Sequence, residues 1–181
     1  MATQLITVNS VVASTNFNVS AAQILANASD DSNSTSFQNT AANQPVTFGL
    51  EGTGDYANLN SATSIVSIQP IVTMSVGGKG AASVNTLFTV NSSAVNVTVL
   101  STSAEPPTDL SASVYTPEAG LGGSKLNDLE FTITGNTGTI NVIYRVRFLV
   151  TYIAAAVEMI LANQYLGING EMVLDSGQIN I

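Results

Sequence analysis

The sequence predicts an all-β protein, an antiparallel β-sandwich with at most one short helix. About eight to ten short segments are rich in β-branched residues and are separated by turns of glycine, proline and asparagine, as in a sandwich or barrel. In the clearest segment, 139–153, apolar residues recur at every second position. Because successive side chains of a strand point to opposite faces, this alternation predicts a long strand with one face in a core. The predicted core face consists of Ile140, Val142, Tyr144, Val146, Phe148, Val150 and Tyr152.

The length and composition predict one domain with an unusual surface. The chain has 181 residues, enough for a real core, and we expect residues 1–181 to form a single β-sandwich domain. Only 9% of the residues are charged, against about a quarter in ordinary globular proteins. Serine, threonine, asparagine and glutamine take their place. Such a neutral polar surface suits a protein whose outside is covered by copies of itself, so the predicted partners are other subunits of an assembly.

The charge balance argues against several classes of function. The chain carries 12 acidic and 4 basic residues and a net charge of −8. Nucleic acids and anionic membrane surfaces are both bound through basic patches, so neither is a predicted partner. No stretch reaches the roughly 18 uninterrupted apolar residues of a membrane helix, so no transmembrane segment is predicted. Without histidine or cysteine, the usual catalytic triads and zinc sites are excluded, and we expect no enzymatic activity.

The N-terminal part of the chain predicts a strand, a helical turn and a long polar segment. The strand covers Leu5–Val12 and the helical turn Ala21–Asn27. The polar segment 29–44 has Phe37 as its single apolar anchor, and at about sixteen residues it is longer than most loops. Two interpretations remain open for it: an exposed loop, or an assembly arm that becomes ordered against a neighbouring subunit.

Calcium is the one cofactor for which the sequence offers ligands. A short strand is predicted at Val46–Leu50, and the glycine-rich turn after it contains Glu51 and Asp55. Carboxylate and carbonyl oxygens of such a turn are the hard ligands that Ca²⁺ prefers. The spacing of an EF-hand is absent, so these two residues are candidate metal ligands only, and no other cofactor is predicted.

Two pairs of segments predict β-hairpins. In the first, Leu87–Val90 and Ala94–Leu100 flank a short polar turn. In the second, Leu126–Thr134 and Thr139–Ile153 flank a glycine-asparagine turn at 135–138. The second register sets these residues opposite one another: Leu129 and Tyr144, Phe131 and Val142, Ile133 and Ile140, and Asp128 and Arg145.

A proline interrupts another alternating segment. Pro70 lies in the middle of Ser64–Val76. Because proline cannot donate a hydrogen bond to a ladder, the segment is predicted to be an edge strand or two strands joined by a bend.

The C-terminal part of the chain changes period. Residues 154–166 contain good helix formers and predict a helix of about three turns, although alternate apolar residues also allow an extended conformation. Residues 167–181 form a C-terminal extension, whose apolar end we expect to pair into a sheet of its own or of a neighbouring subunit. The predicted assembly interface combines both ends of the chain with the anchor of the polar segment: Leu5, Ile6, Val8, Phe37, Ile179 and Ile181.

In length, scarcity of charge and β content, the chain resembles the single jelly-roll major capsid proteins of tailless, membrane-containing bacterial and archaeal viruses. The resemblance is one of general character and covers the whole chain. It implies a single jelly roll that assembles with copies of itself and with other shell subunits in a virion. A lipid vesicle between shell and genome would then explain why the chain has no basic arm. A virion shell subunit is the first functional hypothesis.

Two further hypotheses belong to other classes. The chain is similar to the β-sandwich pilins and tube proteins of archaea, which implies an extracellular or cell-surface filament. In such a filament Leu5–Val12 or Gln178–Ile181 would complete the sheet of the next subunit. A signal peptide in the encoded precursor would favour this hypothesis over the virion. The third hypothesis is an adhesin or carbohydrate-binding module, which is disfavoured by the lack of tryptophan and the presence of only five tyrosines for stacking on sugars.

Overall fold

The computed structural model defines the fold over most of the chain. It describes residues 1–14, 16–30, 32–39, 43–50, 59, 62–77, 81–90, 93–103, 105–117, 121–123, 126, 129–136, 141–155 and, as backbone strands, 163–166 and 172–175. The helix α1 covers Ala21–Ser29. The strands are β1 (Ala2–Thr7), β2 (Ser10–Ser14), β3 (Phe37–Gln38), β4 (Pro45–Gly49), β5 (Ser64–Val76), β6 (Ala82–Val90), β7 (Ser93–Thr102), β8 (Thr108–Ser111), β9 (Leu129–Gly135), β10 (Asn141–Ile153), β11 (Asn163–Leu166) and β12 (Met172–Asp175).

Two antiparallel sheets form a β-sandwich, as the sequence predicts. Sheet A has the order β1-β10-β5-β8, with β3 also paired to β10, and sheet B has the order β2-β4-β9-β6-β7. When β1 and β4 to β10 are numbered as eight strands, the sheets read 1-8-3-6 and 2-7-4-5, which is the strand order of a jelly roll. The strands β11 and β12 pair with each other in a separate ribbon.

Aromatic side chains from both sheets meet in the core. Phe131 and Phe88 come from sheet B and Phe148 comes from sheet A, and all three are buried. The rings of Phe131 and Phe148 pack edge to face, with centroids 5.5 Å apart. Phe88 lies 6.3 Å from Phe131 and 6.2 Å from Phe148. These distances are those of favourable aromatic pairs, so this cluster joins the two sheets.

A β-bulge at Tyr144 divides β10 into two halves. Ile143 lies opposite Met74 on β5 and Arg145 lies opposite Thr73, so Tyr144 is an extra residue in its strand. Such an insertion shifts the side-chain alternation by one position.

The bulge explains why the predicted core face of β10 is only half correct. After it, Val146, Phe148 and Val150 are buried as predicted. Before it, Asn141 and Ile143 are the buried residues, while Val142 and Tyr144 are only partly buried. The prediction is therefore wrong on the N-terminal side of the bulge.

The two predicted hairpins have different outcomes. The strands β6 and β7 pair directly, with Leu87 opposite Val97, which confirms the first hairpin. The second is wrong, because β9 pairs with β4 and β6 in sheet B, whereas β10 pairs with β1, β3 and β5 in sheet A. Of its predicted residues, Asp128 and Ile140 lie outside the described part of the chain.

Pro70 lies within one continuous strand. The strand β5 pairs with β10 over most of its length, so it is neither an edge strand nor bent in two. Its ladder with β8 ends at Ile71, and the carbonyl of Pro70 accepts a hydrogen bond from the backbone of Ala112 at 2.8 Å. The proline is tolerated because its missing N–H faces the side on which that ladder stops.

The polar segment 29–44 is partly ordered into secondary structure. It begins at the end of α1, whose N-cap residue Ser20 accepts a hydrogen bond from the backbone of Gln23 at 3.3 Å. It also contains β3, which pairs with β10 and places Phe37 in the core. The prediction of an exposed loop is therefore wrong for Phe37 and Gln38.

The C-terminal helix prediction is wrong where the structure describes that segment. Residues 163–166 form the strand β11 instead. Residues 156–162 lie outside the described part of the chain.

Candidate functional site

Two arginines lie side by side on the outer face of sheet A. Arg145 and Arg147 follow the bulge in β10 and alternate with Val146 and Phe148, whose side chains are buried in the core. The arginines therefore share the opposite face. They are the basic side chains in the part of the chain that the structure describes, and the whole chain has only 4 basic residues.

Strand register brings a carboxylate and a hydroxyl to these arginines. Arg145 lies opposite Thr73 on β5, and Thr73 lies opposite Asp109 on β8, so the three residues form one row across the sheet. In the next row, Arg147 lies opposite Ile71. Arg145, Arg147, Thr73 and Asp109 are called the arginine cluster below.

Asp109 accepts several interactions at the centre of the arginine cluster. Nη2 of Arg147 donates to Oδ2 of Asp109 at 2.6 Å, and Oγ1 of Thr73 donates to Oδ1 at 2.5 Å. Nη2 of Arg145 lies 3.9 Å from Oδ1, and Nη2 of Arg147 lies 3.5 Å from Oγ1 of Thr73. One carboxylate is thus held by two guanidinium groups and a hydroxyl.

The arginine cluster is partly open to solvent. The side chains of Arg145 and Arg147 are 15% and 11% exposed, and that of Asp109 is 51% exposed. Partial burial raises the pKa of Asp109, but the hydrogen bonds from Thr73 and Arg147 and the two arginine charges outweigh it and leave the pKa below its ordinary value of 3.8. Asp109 is therefore ionised at neutral pH. Two guanidinium charges and one carboxylate charge give the cluster a net charge of +1 in a chain of net charge −8.

The surrounding outer face of sheet A is mostly neutral and polar. In the rows of β10, Leu149 lies between Leu5 on β1 and Gln69 on β5, and Thr151 lies between Thr3 and Ser67. This surface offers hydroxyl, amide and guanidinium groups beside a few aliphatic side chains. Such a surface can form hydrogen bonds with a polyhydroxylated ligand and ion pairs with an acidic one.

Three of the four described residues that were predicted for assembly do not lie at the surface. Ile6, Val8 and Phe37 are buried in the core of their own chain, so their side chains cannot be the contact surface of this folded state. Leu5 is exposed on the outer face of sheet A. The remaining predicted residues, Ile179 and Ile181, lie outside the described part of the chain.

The predicted calcium ligands, Glu51 and Asp55, also lie outside the described residues. Among the residues that the structure does describe, no group of three or more acidic side chains could hold a metal ion.

A second surface lies at the edge of sheet B. Among the described strands, β7 pairs with β6 alone. Val97 and Val99 are 68% and 61% exposed on its outer face. Leu87 lies opposite Val97 on β6. This small apolar surface is called the β7 edge below.

Sequence reasoning missed Thr73 and Asp109. The arginine pair itself is visible in the sequence as two basic residues at alternate positions, but the predicted partner of Arg145 was Asp128. Finding Asp109 requires knowing that β8 and β10 are separated by β5, and the sequence carries no local signal for that order.

Within the described residues, no helix has the length and apolar character needed to cross a lipid bilayer.

No protein-family model matches the chain, and neither does any curated protein sequence. Solved structures with a similar shape include truncated AlyQ with CBM32 and alginate lyase domains, at 18% identity and a TM-score of 0.45, over 86% of this chain and 35% of that one. Another is the C-terminal CBM6 of LamC from Zobellia galactanivorans, at 10% identity and a TM-score of 0.44, over 81% of this chain and 98% of that one.

A third is the arabinose-bound MgGH51 α-L-arabinofuranosidase, at 10% identity and a TM-score of 0.43, over 67% of this chain and 20% of that one. This chain therefore spans about a third of the length of the AlyQ chain. It spans 98% of the CBM6 domain. With TM-scores below 0.5, these similarities do not establish kinship or a shared ligand.

Proposed function

We propose that this protein is a non-catalytic carbohydrate-binding module that holds its ligand on the outer face of sheet A. The observation that carries the proposal is the arginine cluster, a set of fixed hydrogen-bond donors on an otherwise neutral polar face. Jelly rolls occur in both lectin domains and viral capsids, so the residues of this surface, and not the fold, favour a carbohydrate ligand.

The chemistry of the surface favours a carbohydrate. Sugars present many hydroxyl groups, and threonine, serine and glutamine side chains on neighbouring strands can bond to them at low entropic cost because the sheet holds their backbone. Leu5 and Leu149, which lie opposite each other on β1 and β10, provide apolar contacts for the C–H surfaces of a sugar ring. Recognition would therefore rely on hydrogen bonds and aliphatic contacts.

Stacking on aromatic rings contributes little to this proposal. Phe88, Phe131 and Phe148 are buried between the sheets, and Tyr115, Tyr144 and Tyr152 are only partly exposed. The arginines take over the role of anchoring the ligand, because a guanidinium group offers five N–H donors in a rigid plane.

The test is to measure binding to a panel of immobilised polysaccharides with the wild type and with Arg147→Gln. The proposal expects at least one polysaccharide to bind the wild type and the variant to lose most of that affinity. Val97→Thr at the β7 edge is the matched control and should bind normally, because it lies on the opposite sheet. Equal binding by wild type and Arg147→Gln would place the ligand elsewhere, and binding to no polysaccharide would end the proposal.

A second candidate function is that of a self-assembling subunit of a virion shell or a filament. The specific observation in its favour is the β7 edge, because an edge strand with exposed apolar side chains is a common site of pairing between chains. Electron microscopy of the purified protein tests it. Closed shells or continuous fibres that disappear in Val97→Lys would favour this candidate, whereas a uniform population of monomers at high concentration would argue against it.

A further inference from the structure

We infer that the arginine cluster selects carbohydrates that carry carboxylate groups, such as chains of uronic acids, an inference that rests on the proposed carbohydrate-binding function. The ligand carboxylate would bind to Arg147 and Arg145 on the exposed side of Asp109. Neutral sugars would bind more weakly, because they cannot form charge-assisted hydrogen bonds to the guanidinium groups.

The arginine cluster is a positively charged site on an acidic protein. The cluster has a net charge of +1, formed by the basic side chains of the described chain, whereas the whole protein has a net charge of −8. Elsewhere on the described surface, the charged side chains are acidic. The cluster is therefore the place on the described surface where a carboxylate gains most from Coulomb attraction.

Arg147 has hydrogen-bonding capacity that its contacts with Asp109 and Thr73 do not use. Within the described part of the chain, both of its hydrogen bonds are donated by Nη2. Its Nε also has no acceptor but is buried, so the N–H groups of Nη1 are the donors left for a ligand. A guanidinium group has five N–H donors and binds a carboxylate best through two of them at once. Arg147 thus retains donors for a second carboxylate after it has bound Asp109.

The contacts of Asp109 show that the cluster accepts a carboxylate group. Its two carboxylate oxygens are already held by Thr73 and Arg147, with Arg145 at 3.9 Å. Because Asp109 is 51% exposed, the cluster is open to solvent next to it. Asp109 orients the guanidinium groups, but its own charge also repels a ligand carboxylate.

This arrangement makes opposite predictions for two substitutions. Arg147→Gln should weaken binding of an acidic sugar at least about tenfold, because a charge-assisted bidentate contact is lost. Asp109→Asn should strengthen it about fivefold, because the competing negative charge is removed while the side chain keeps its size. A neutral sugar should respond much less to either change.

The experiment is titration calorimetry of the wild type and both variants with an oligogalacturonate, a neutral galactan oligosaccharide of the same length, and polyglutamate. Unfolding midpoints of the three proteins are measured alongside, so that a loss of fold is recognised. We expect tight, salt-sensitive binding of the oligogalacturonate, weak binding of the neutral sugar and no specific binding of polyglutamate.

The outcomes separate this inference from the proposed function. Equal affinity for acidic and neutral sugars would overturn the carboxylate selectivity and leave carbohydrate binding intact. Binding to neither sugar would overturn both. Equal affinity for polyglutamate would mean that the cluster binds any polyanion, and weaker binding by a folded Asp109→Asn variant would overturn the proposed position of the ligand.

Discussion

The strands β6 and β7 and the strands β9 and β10 are two pairs of sequence neighbours with contrasting arrangements. The first pair lies edge to edge in sheet B, joined by backbone hydrogen bonds. The second pair lies face to face across the core, with β9 in sheet B and β10 in sheet A, and meets through Phe131 and Phe148. Both pairs have the alternating pattern of a hairpin, so the pattern alone does not decide between the two arrangements.

The length of the connection accounts for part of the difference. Residues 91–92 between β6 and β7 are too few to leave the sheet, so the chain must return beside itself. Residues 136–140 between β9 and β10 can span up to about 17 Å when extended, which is more than the roughly 10 Å between packed sheets. The longer connection permits a crossing, and burial of both aromatic faces favours it.

Asparagine residues next to the connection between β9 and β10 form hydrogen bonds that link the ends of the sheets. The backbone N–H of Asn136 donates to the carbonyl of Ser83 on β6 at 3.1 Å, and the backbone N–H of Ser83 donates to Oδ1 of Asn141 on β10 at 2.7 Å. The backbone of Asn141 donates in turn to Oδ1 of Asn39 at 3.2 Å. Residues that look like turn formers in the sequence therefore tie the ends of the two sheets together.

The largest expected effect is that of Phe148→Ala. Removing this ring from between the sheets should lower the free energy of unfolding by about 3–5 kcal/mol, because a large cavity remains in the core. Chemical denaturation measures the loss. A value below about 1 kcal/mol would mean that the sheets do not pack through this aromatic cluster.

A double-mutant cycle sharpens the same test. Phe131→Ala and Phe148→Ala should be coupled by about 0.5–1.5 kcal/mol, because their rings are in edge-to-face contact. If β9 and β10 formed the predicted hairpin instead, the coupling would appear between Leu129 and Tyr144.

A smaller loss is expected for Gly135→Ala at the end of β9. A Cβ atom there would lie 2.7 Å from Nδ2 of Asn39 and 3.0 Å from Nδ2 of Asn141, which would disturb the crossing. We expect a loss of about 1–3 kcal/mol in a denaturant series. Gly122→Ala is the matched control, since its Cβ would approach nothing closer than the carbonyl of Ala62 at 4.0 Å. Equal effects at both glycines would show that the asparagine contacts are unimportant.

The stability of the fold should depend on pH through Asp109, which pairs with the two arginines on the outer face of β10. The pKa of this carboxyl is lower in the folded chain than its ordinary value of 3.8, so its ion pairs stabilise the fold above that pH. The stabilisation is lost as the pH falls through the folded-state pKa. Unfolding midpoints measured from about pH 6 to pH 2 should therefore fall less steeply in Asp109→Asn than in the wild type. Parallel curves would indicate that the carboxylate contributes nothing.

The smallest effect is expected at the β7 edge. Val97→Thr keeps a β-branched side chain at a position that is 68% exposed, so the free energy of unfolding should change by no more than about 0.5 kcal/mol. A clearly larger loss of unfolding free energy that does not depend on protein concentration would contradict this expectation. It would mean that the side chain of Val97 packs against another part of its own chain.

The sequence by itself determined the local features of this protein. Alternation of apolar residues identified the long strands β5, β6, β7, β9 and β10 and the buried face of Val146, Phe148 and Val150, because the side-chain period of a strand is an intrinsic property of the backbone. The short turn determined the β6–β7 hairpin for the same kind of local reason. The helical pattern at Ala21–Asn27 also corresponds to α1.

Only the tertiary structure decided which strands are neighbours. The bulge at Tyr144, the placement of β9 and β10 in different sheets and the meeting of Asp109 with Arg147 all depend on contacts between residues far apart in sequence. Those contacts are selected by how two complete sheets bury their apolar faces against each other, and no local pattern encodes that choice. The arginines of the candidate site could therefore be seen in the sequence, but their partners could not.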